Sequence, residues 1–184
     1  MAFSLALLGA STYEVPVALG SYDLLATEIL TGTSSSITFA SLGTYAADYQ
    51  HLQVRATLGR STSGGDMASG KIKLNGSDMT KSHLLRGYNG SVNSYDNTVG
   101  KFTYAGTGST HSGLVIDVLD AFSSDKNTTI RFLGGVAGNS EPFVMLNSAF
   151  WDNTSSITSL EINGGGPSFT ENSRLSLYGI RKAA

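Results

Sequence analysis

Three histidines, His51, His83 and His111, are the side chains best suited to acid–base or metal chemistry in this 184-residue chain. An imidazole titrates near neutral pH and can hold a transition metal through a ring nitrogen. Their spacing argues against a shared site, because none shows the i, i+4 partner of an HExxH helix and all three lie far apart. Cysteine is absent, which removes thiolate ligands and disulfides together. We expect surface or hydrogen-bonding histidines, with no metal and no cofactor. Serine, histidine and aspartate are all present, yet no Gly-x-Ser-x-Gly elbow holds a nucleophile between strand and helix. In a chain this rich in serine, chance supplies such combinations freely. Asp117 and Asp120 lie three residues apart at the end of an apolar run. Glycoside-cleaving carboxylates stand roughly 5–10 Å apart across a substrate. Asp120 is expected instead to cap a short helical turn over Leu119–Ser123, with Asp117 on an outer face. No DxDxDG calcium loop occurs. Gly164-Gly-Gly166 lacks the lysine and helix start of a phosphate loop. The sequons at Asn75, Asn89, Asn127 and Asn153 weigh little in so Ser/Thr-rich a chain. No residue is nominated as catalytic, and the expectation is a protein that is not an enzyme.

Binding has one positive sign. Tyr88, Tyr95, Phe102 and Tyr104 fall in a stretch rich in Gly, Ser and Asn, a composition suited to adaptable recognition loops. The alternative is that these rings cover one end of a hydrophobic core.

The elements that would carry these residues are strands. His51-Leu-Gln-Val-Arg-Ala-Thr-Leu58 alternates most cleanly, with Leu52, Val54, Ala56 and Leu58 on one face. Ser36–Ala40, Lys71–Leu74, Gly113–Val118, Thr129–Phe132, Phe143–Leu146, Ser159–Ile162 and Arg174–Leu177 repeat the beat. Tyr22–Thr31 alternates less strictly, and a bulge or burial of both faces accounts for that. Turn clusters separate the runs, at Ser61–Asp66, Asn75-Gly76, Tyr88–Ser91, Gly106–Ser109 and Asn163–Pro167. Asn-Gly is a strong hairpin signal because both residues tolerate positive φ. Roughly nine to eleven short strands at this spacing predict an all-β sandwich or barrel and exclude βαβ units.

Composition agrees. Charged residues make up only 14%, and glycine reaches 22 residues against 3 prolines. A net charge of −2 leaves no basic stripe to neutralise phosphates, so nucleic acid is not the expected partner. Met1–Ala10 is apolar but lacks the basic start of a signal peptide, and it is far too short to span a membrane. We read residues 1–21 as an N-terminal arm and 22–184 as one sandwich domain. Exposed alone, Phe3, Leu5, Leu7 and Leu8 would invite aggregation, so the arm is expected to dock on a neighbouring subunit.

Three segments together carry a resemblance: Tyr49-Gln-His-Leu-Gln-Val-Arg55, Ser82-His-Leu-Leu-Arg-Gly-Tyr-Asn-Gly-Ser-Val92 and Ser173-Arg-Leu-Ser-Leu-Tyr-Gly-Ile-Arg181. The chain resembles small virion structural proteins of tailed bacteriophages, in scattered pieces from about Tyr22 to Ile180. The terminal segment is the most specific. Leu175 departs from the commoner Phe, and Ser94–Ser112 matches no part of the pattern. The resemblance implies a jelly-roll-like antiparallel sandwich assembled as a homotrimer, with Arg55 and Tyr178 as candidate subunit contacts. It implies a capsid decoration (cement) protein, or alternatively a tail fibre or appendage that binds a host receptor or glycan. The partners would be the major capsid protein or tail proteins, and the location the surface of the head or the tail.

Overall fold

The computed structural model describes residues 21–61, 68–88, 90–97, 100–104, 110–136 and 142–182. The arm residues Phe3, Leu5, Leu7 and Leu8 lie outside them. The chain folds as two antiparallel sheets facing each other. In chain order the strands are β1 (Tyr22–Ile29), β2 (Ser36–Phe39), β3 (Tyr49–Leu58), β4 (Ala68–Leu74), β5 (Ser77–Asp78), β6 (Lys81–Tyr88), β7 (Ser91–Asn97), β8 (Lys101–Tyr104), β9 (Ser112–Leu119), β10 (Thr128–Val136), β11 (Phe143–Trp151), β12 (Leu160–Asn163) and β13 (Arg174–Arg181). The larger sheet has eight strands in the order β1-β13-β3-β9-β10-β11-β6-β7. The smaller is β2-β12-β4, with β5 and β8 both paired to β4. Apart from the β4–β5 and β6–β7 hairpins and the β9–β10–β11 meander, every connection passes from one sheet to the other.

Alternation decides what is buried. Leu52, Val54, Ala56 and Leu58 of β3 point inward beside Leu114, Ile116 and Val118 of β9 and Ile130 and Phe132 of β10. Ile37, Phe39, Ile72, Leu74, Leu160 and Ile162 close the core from the smaller sheet. The irregular beat of β1 is a register shift between Leu24 and Ala26. The loops are held by side chains. Asn75, at φ 49°, accepts from the N–H groups of Thr158 and Ser159 at 2.7 and 3.1 Å and donates to the Ser156 carbonyl. That locks the β4–β5 turn to the segment before β12.

Two expectations need correction. No helical turn forms at Leu119–Ser123. Asp120 takes a left-handed φ of 51°, which stops β9 in a hydrogen-bonded turn instead of starting a helix. Its carboxylate caps nothing there; it accepts from Gln50 Nε2 at 2.8 Å and pairs with Lys126 at 2.9 Å. Those two partners, Lys126 first, hold its carboxyl below the usual range. A short 3-10 turn lies elsewhere, at Leu42–Tyr45.

The second correction concerns Phe102 and Tyr104, which are not recognition residues. Both are fully buried on β8. Phe102 stacks on Phe132 of the opposite sheet at 6.3 Å, and Tyr104 meets Phe169 at 5.3 Å. These rings weld the two sheets at one end. Gly70 makes room, since a Cβ there would lie 2.1 Å from the Phe102 ring. The Tyr104 hydroxyl donates to the Gly164 and Pro167 carbonyls, both at 2.9 Å, and burial pushes its pKa up to about 12.

A phenol that ionises later folded than unfolded stabilises the fold below its ordinary pKa of about 10 and loses that contribution as pH rises toward 12. Urea unfolding across that window should show stability falling, with Tyr104 responsible for up to about 2–3 kcal/mol of the fall. Tyr104→Phe should flatten the slope, and it should cost about 1 kcal/mol at pH 7 from the lost hydrogen bonds. An unchanged slope in the variant would assign the effect to other tyrosines.

Candidate functional site

The outer face of the eight-stranded sheet is where unusual surface chemistry collects. Three rows of side chains run across the strands in direct register. The first is Tyr178, Gln53, Asp117, Arg131, Ser148, His83 and Asp96. The second is Ser176, Arg55, Val115, Leu133, Leu146, Leu85 and Ser94. The third is Arg174, Thr57, Gly113, Gly135, Val144, Gly87 and Val92. The rows are thus polar, apolar and glycine-rich.

The polar row is a hydrogen-bonded network. Arg55 Nε donates to Gln53 Oε1 at 2.8 Å, Gln53 Nε2 donates to Asp117 at 2.7 Å, and Arg131 approaches Asp117 at 3.5 Å. The Arg55 guanidinium lies between the rings of Tyr178 and Tyr22, at 5.0 and 5.6 Å. Arg55 and Tyr178, the candidate subunit contacts, are therefore one stacked unit on the outer face. Gln53 is buried beneath it. Asp117 occupies the outer face, as expected.

The apolar row leaves Leu133, Leu146 and Leu85 in solvent, at 55%, 53% and 43% exposure. Four directly opposed apolar side chains, counting half-buried Val115, make a continuous strip rather than scattered exposed residues. Strips of this kind mark contact surfaces. Beside it, the glycine-rich row forms the floor of an open groove walled by Arg55, Arg174 and Tyr178. A Cβ on Gly113 would meet open space, so its absence deepens the groove. Gly135 is required for another reason: a Cβ there would lie 2.5 Å from the Phe143 carbonyl oxygen.

Cross-strand pairing also assembles a serine–histidine–aspartate relay that the sequence did not reveal. His83 Nδ1 hydrogen-bonds Asp96 at 2.6 Å, and Ser94 Oγ lies 3.0 Å from His83 Nε2. The order is that of a nucleophilic triad. The setting differs, since His83 and Asp96 are 59% and 89% exposed on a hairpin and water competes for every partner. A developing oxyanion needs preorganised donors in a water-excluded site. As placed, the trio ties β6 to β7 across the hairpin.

The remaining histidines do not join it. His51 Nδ1 accepts the Asp120 N–H at 2.8 Å, so its 3.6 Å approach to the Asp120 carboxylate is not an ion pair through that nitrogen. Among the described residues no three His, Cys, Asp or Glu side chains converge as a metal site. Of the aromatic set, Tyr88 and Tyr95 stay together at the far edge of the sheet. Arg86 lies over both rings, at 5.9 and 5.4 Å, and contacts the Tyr95 hydroxyl at 3.4 Å. Among the described residues no helix is long and apolar enough to cross a membrane.

No protein-family model, no curated protein and no solved structure matches this chain.

Gln53→Ala should cost about 1–3 kcal/mol, because it strands Arg55 Nε and one oxygen of Asp117 at a partly covered site. Denaturant melts of Gln53→Ala, Asp117→Ala and the double variant measure the coupling. Additive losses would mean the two side chains act independently.

Proposed function

We propose that this chain is a non-enzymatic structural protein of a tailed-bacteriophage virion, and that it decorates and stabilises the capsid. The observation that supports this reading is the uncovered apolar strip Val115, Leu133, Leu146 and Leu85 on a sandwich whose interior is already sealed. Such a face has no part in holding the domain together and suits contact with other proteins. The resemblance of the Tyr49–Arg55, Ser82–Val92 and Ser173–Arg181 segments to phage virion proteins gives that contact its setting. The jelly-roll-like wrapping belongs to the same reading. A component that binds only the assembled shell stabilises it by mass action. The major capsid protein is then the partner and the head surface the location, with the apolar arm adding contact area that orders on binding.

A tail appendage that binds a host glycan is the second reading. It draws on the cluster of exposed Tyr95 with half-buried Arg86 and Tyr88, since rings offering an apolar face with a polar rim suit sugars.

Copy number per purified particle separates the two. Hundreds of copies fit decoration; a few to tens fit the tail. Deleting residues 2–12 should release the protein from heads while its strand circular dichroism is unchanged. Full capsid binding by the truncated chain would remove the arm from the contact, and glycan binding without capsid affinity would favour the tail.

A further inference from the structure

In the apolar and glycine-rich rows the two halves of the outer face differ in relief; at the polar end the β10–β11–β6–β7 side has a pocket of its own, lined by His83, Asp96, Thr129, Ser148 and Phe150. The β13–β3–β9–β10 half carries the groove, floored at Gly113 and Gly135. On the β11–β6–β7 half, Val144 and Val92 stand out at 59% and 72% exposure beside Leu146 and Leu85. A groove beside a ridge on one surface is complementary to the same surface turned over.

We propose that this face binds a second copy of the chain, face to face, about a twofold axis running along the strands between β10 and β11. That rotation lays β10 of one copy over β11 of the other, β9 over β6 and β3 over β7, and it keeps each row above its own row. Leu133 then meets the other copy's Leu146, and Val115 meets Leu85, so leucine and valine cover each other twice over. Val144 stands above the bare backbone of Gly135, and Val92 above Thr57. In the polar row Asp117 comes opposite His83, and Gln53 opposite Asp96. No like charges are brought together along any row. This is the self-complementarity that an isologous contact requires.

Scale permits it. Strands β3 to β7 at ~4.8 Å spacing, with three rows ~6.8 Å apart, span roughly 600 Å² before side-chain relief is added. Standard contacts bury about 800 Å² per partner, so the expected dimer is a small one of moderate affinity. Twisted sheets stack face to face at about −30°, which concentrates contact at the centre, where the leucines lie. The proposal gives to a second copy the strip that also supports the virion reading, so in a dimer the capsid contact of that reading would fall to the apolar arm. It also differs from the threefold assembly that the resemblance implies.

Sedimentation of the full chain from about 1 to 100 μM should show a monomer–dimer equilibrium, a range suited to moderate affinity. Leu133→Glu and Leu146→Lys should each weaken dimerisation by about 100-fold or more, because each buries an unpaired charge. Both sites are exposed in the monomer, so circular dichroism should be unchanged. Mixing the two variants should restore a dimer, since the axis sets residue 133 of one chain against residue 146 of the other. A wild-type monomer at 100 μM or a trimer would overturn the proposal. So would undiminished dimers in both single variants, or a mixture that stays monomeric. Loss of association on deleting residues 1–20, with Leu146→Lys still dimeric, would assign the contact to the arm instead.

Discussion

Leu133 lies opposite Val115 on one side and Leu146 on the other, and both faces of the larger sheet follow from that register. Because side chains alternate, the same pairing sends Phe132 inward beside Ile116 and onto Phe102 of the facing sheet. Slipping β10 by one residue would drive Arg131 and Leu133 into the core and Ile130 and Phe132 into water, which a buried charge forbids. The interior thus fixes the register, and the register builds the exterior. The apolar strip, the polar network through Gln53 and the glycine-floored groove are placed by packing on the opposite face of the sheet.

That dependence runs one way. Ile116, Phe132, Leu52 and Val54 are wholly buried without any contribution from the outer face. Placing leucine on solvent-facing positions gains the monomer little, since neighbouring strands already shield what they can. Exposed leucine instead carries an aggregation hazard unless charge or polarity borders it. The flanking row supplies such polarity, with Asp117, Arg131 and Asp96 next to the strip. An apolar contact bounded by charges is the anatomy of a specific interface, in which the rim selects the partner and the centre holds it.

Much of this is legible in the sequence. β3, β9, β2 and β12 are strands whose alternation is almost perfect, and the structure places their inward residues as the pattern requires. The disturbed beat of Tyr22–Thr31 marked the irregularity in β1. The stretch from Lys81 to Tyr104 carries no clear strand signal, because Gly, Ser, Asn and Asp have weak strand propensity and hide the period. Phe102 and Tyr104 were misplaced for that reason: on a four-residue strand, burial by the opposite sheet outweighs local composition. The Tyr88–Ser91 pair sets the register of the strands on either side. Counting outward from the Tyr88–Ser91 pair puts His83 opposite Asp96 and Leu85 opposite Ser94. The relay follows from the turn. The leucine strip does not, because it needs the order of β9, β10, β11 and β6, and β6 joins the sheet out of chain order.

The relay shows how little a constellation of residue types says about chemistry. Ser94, His83 and Asp96 have triad distances because a hairpin spaces same-face neighbours at hydrogen-bonding range, and any strand pair with those residues would do the same. Catalysis draws on what surrounds such a trio: exclusion of water, a donor pair for the oxyanion, a cleft to orient substrate. On β6 and β7 the trio is largely exposed, beside the leucine strip and an open pocket lined by Lys81, Thr129, Ser148 and Phe150. A clamp that stiffens the hairpin beside an apolar contact surface accounts for the same three side chains. It does so in keeping with the role proposed for the rest of the face, in which Leu85 and Val92 meet another protein surface.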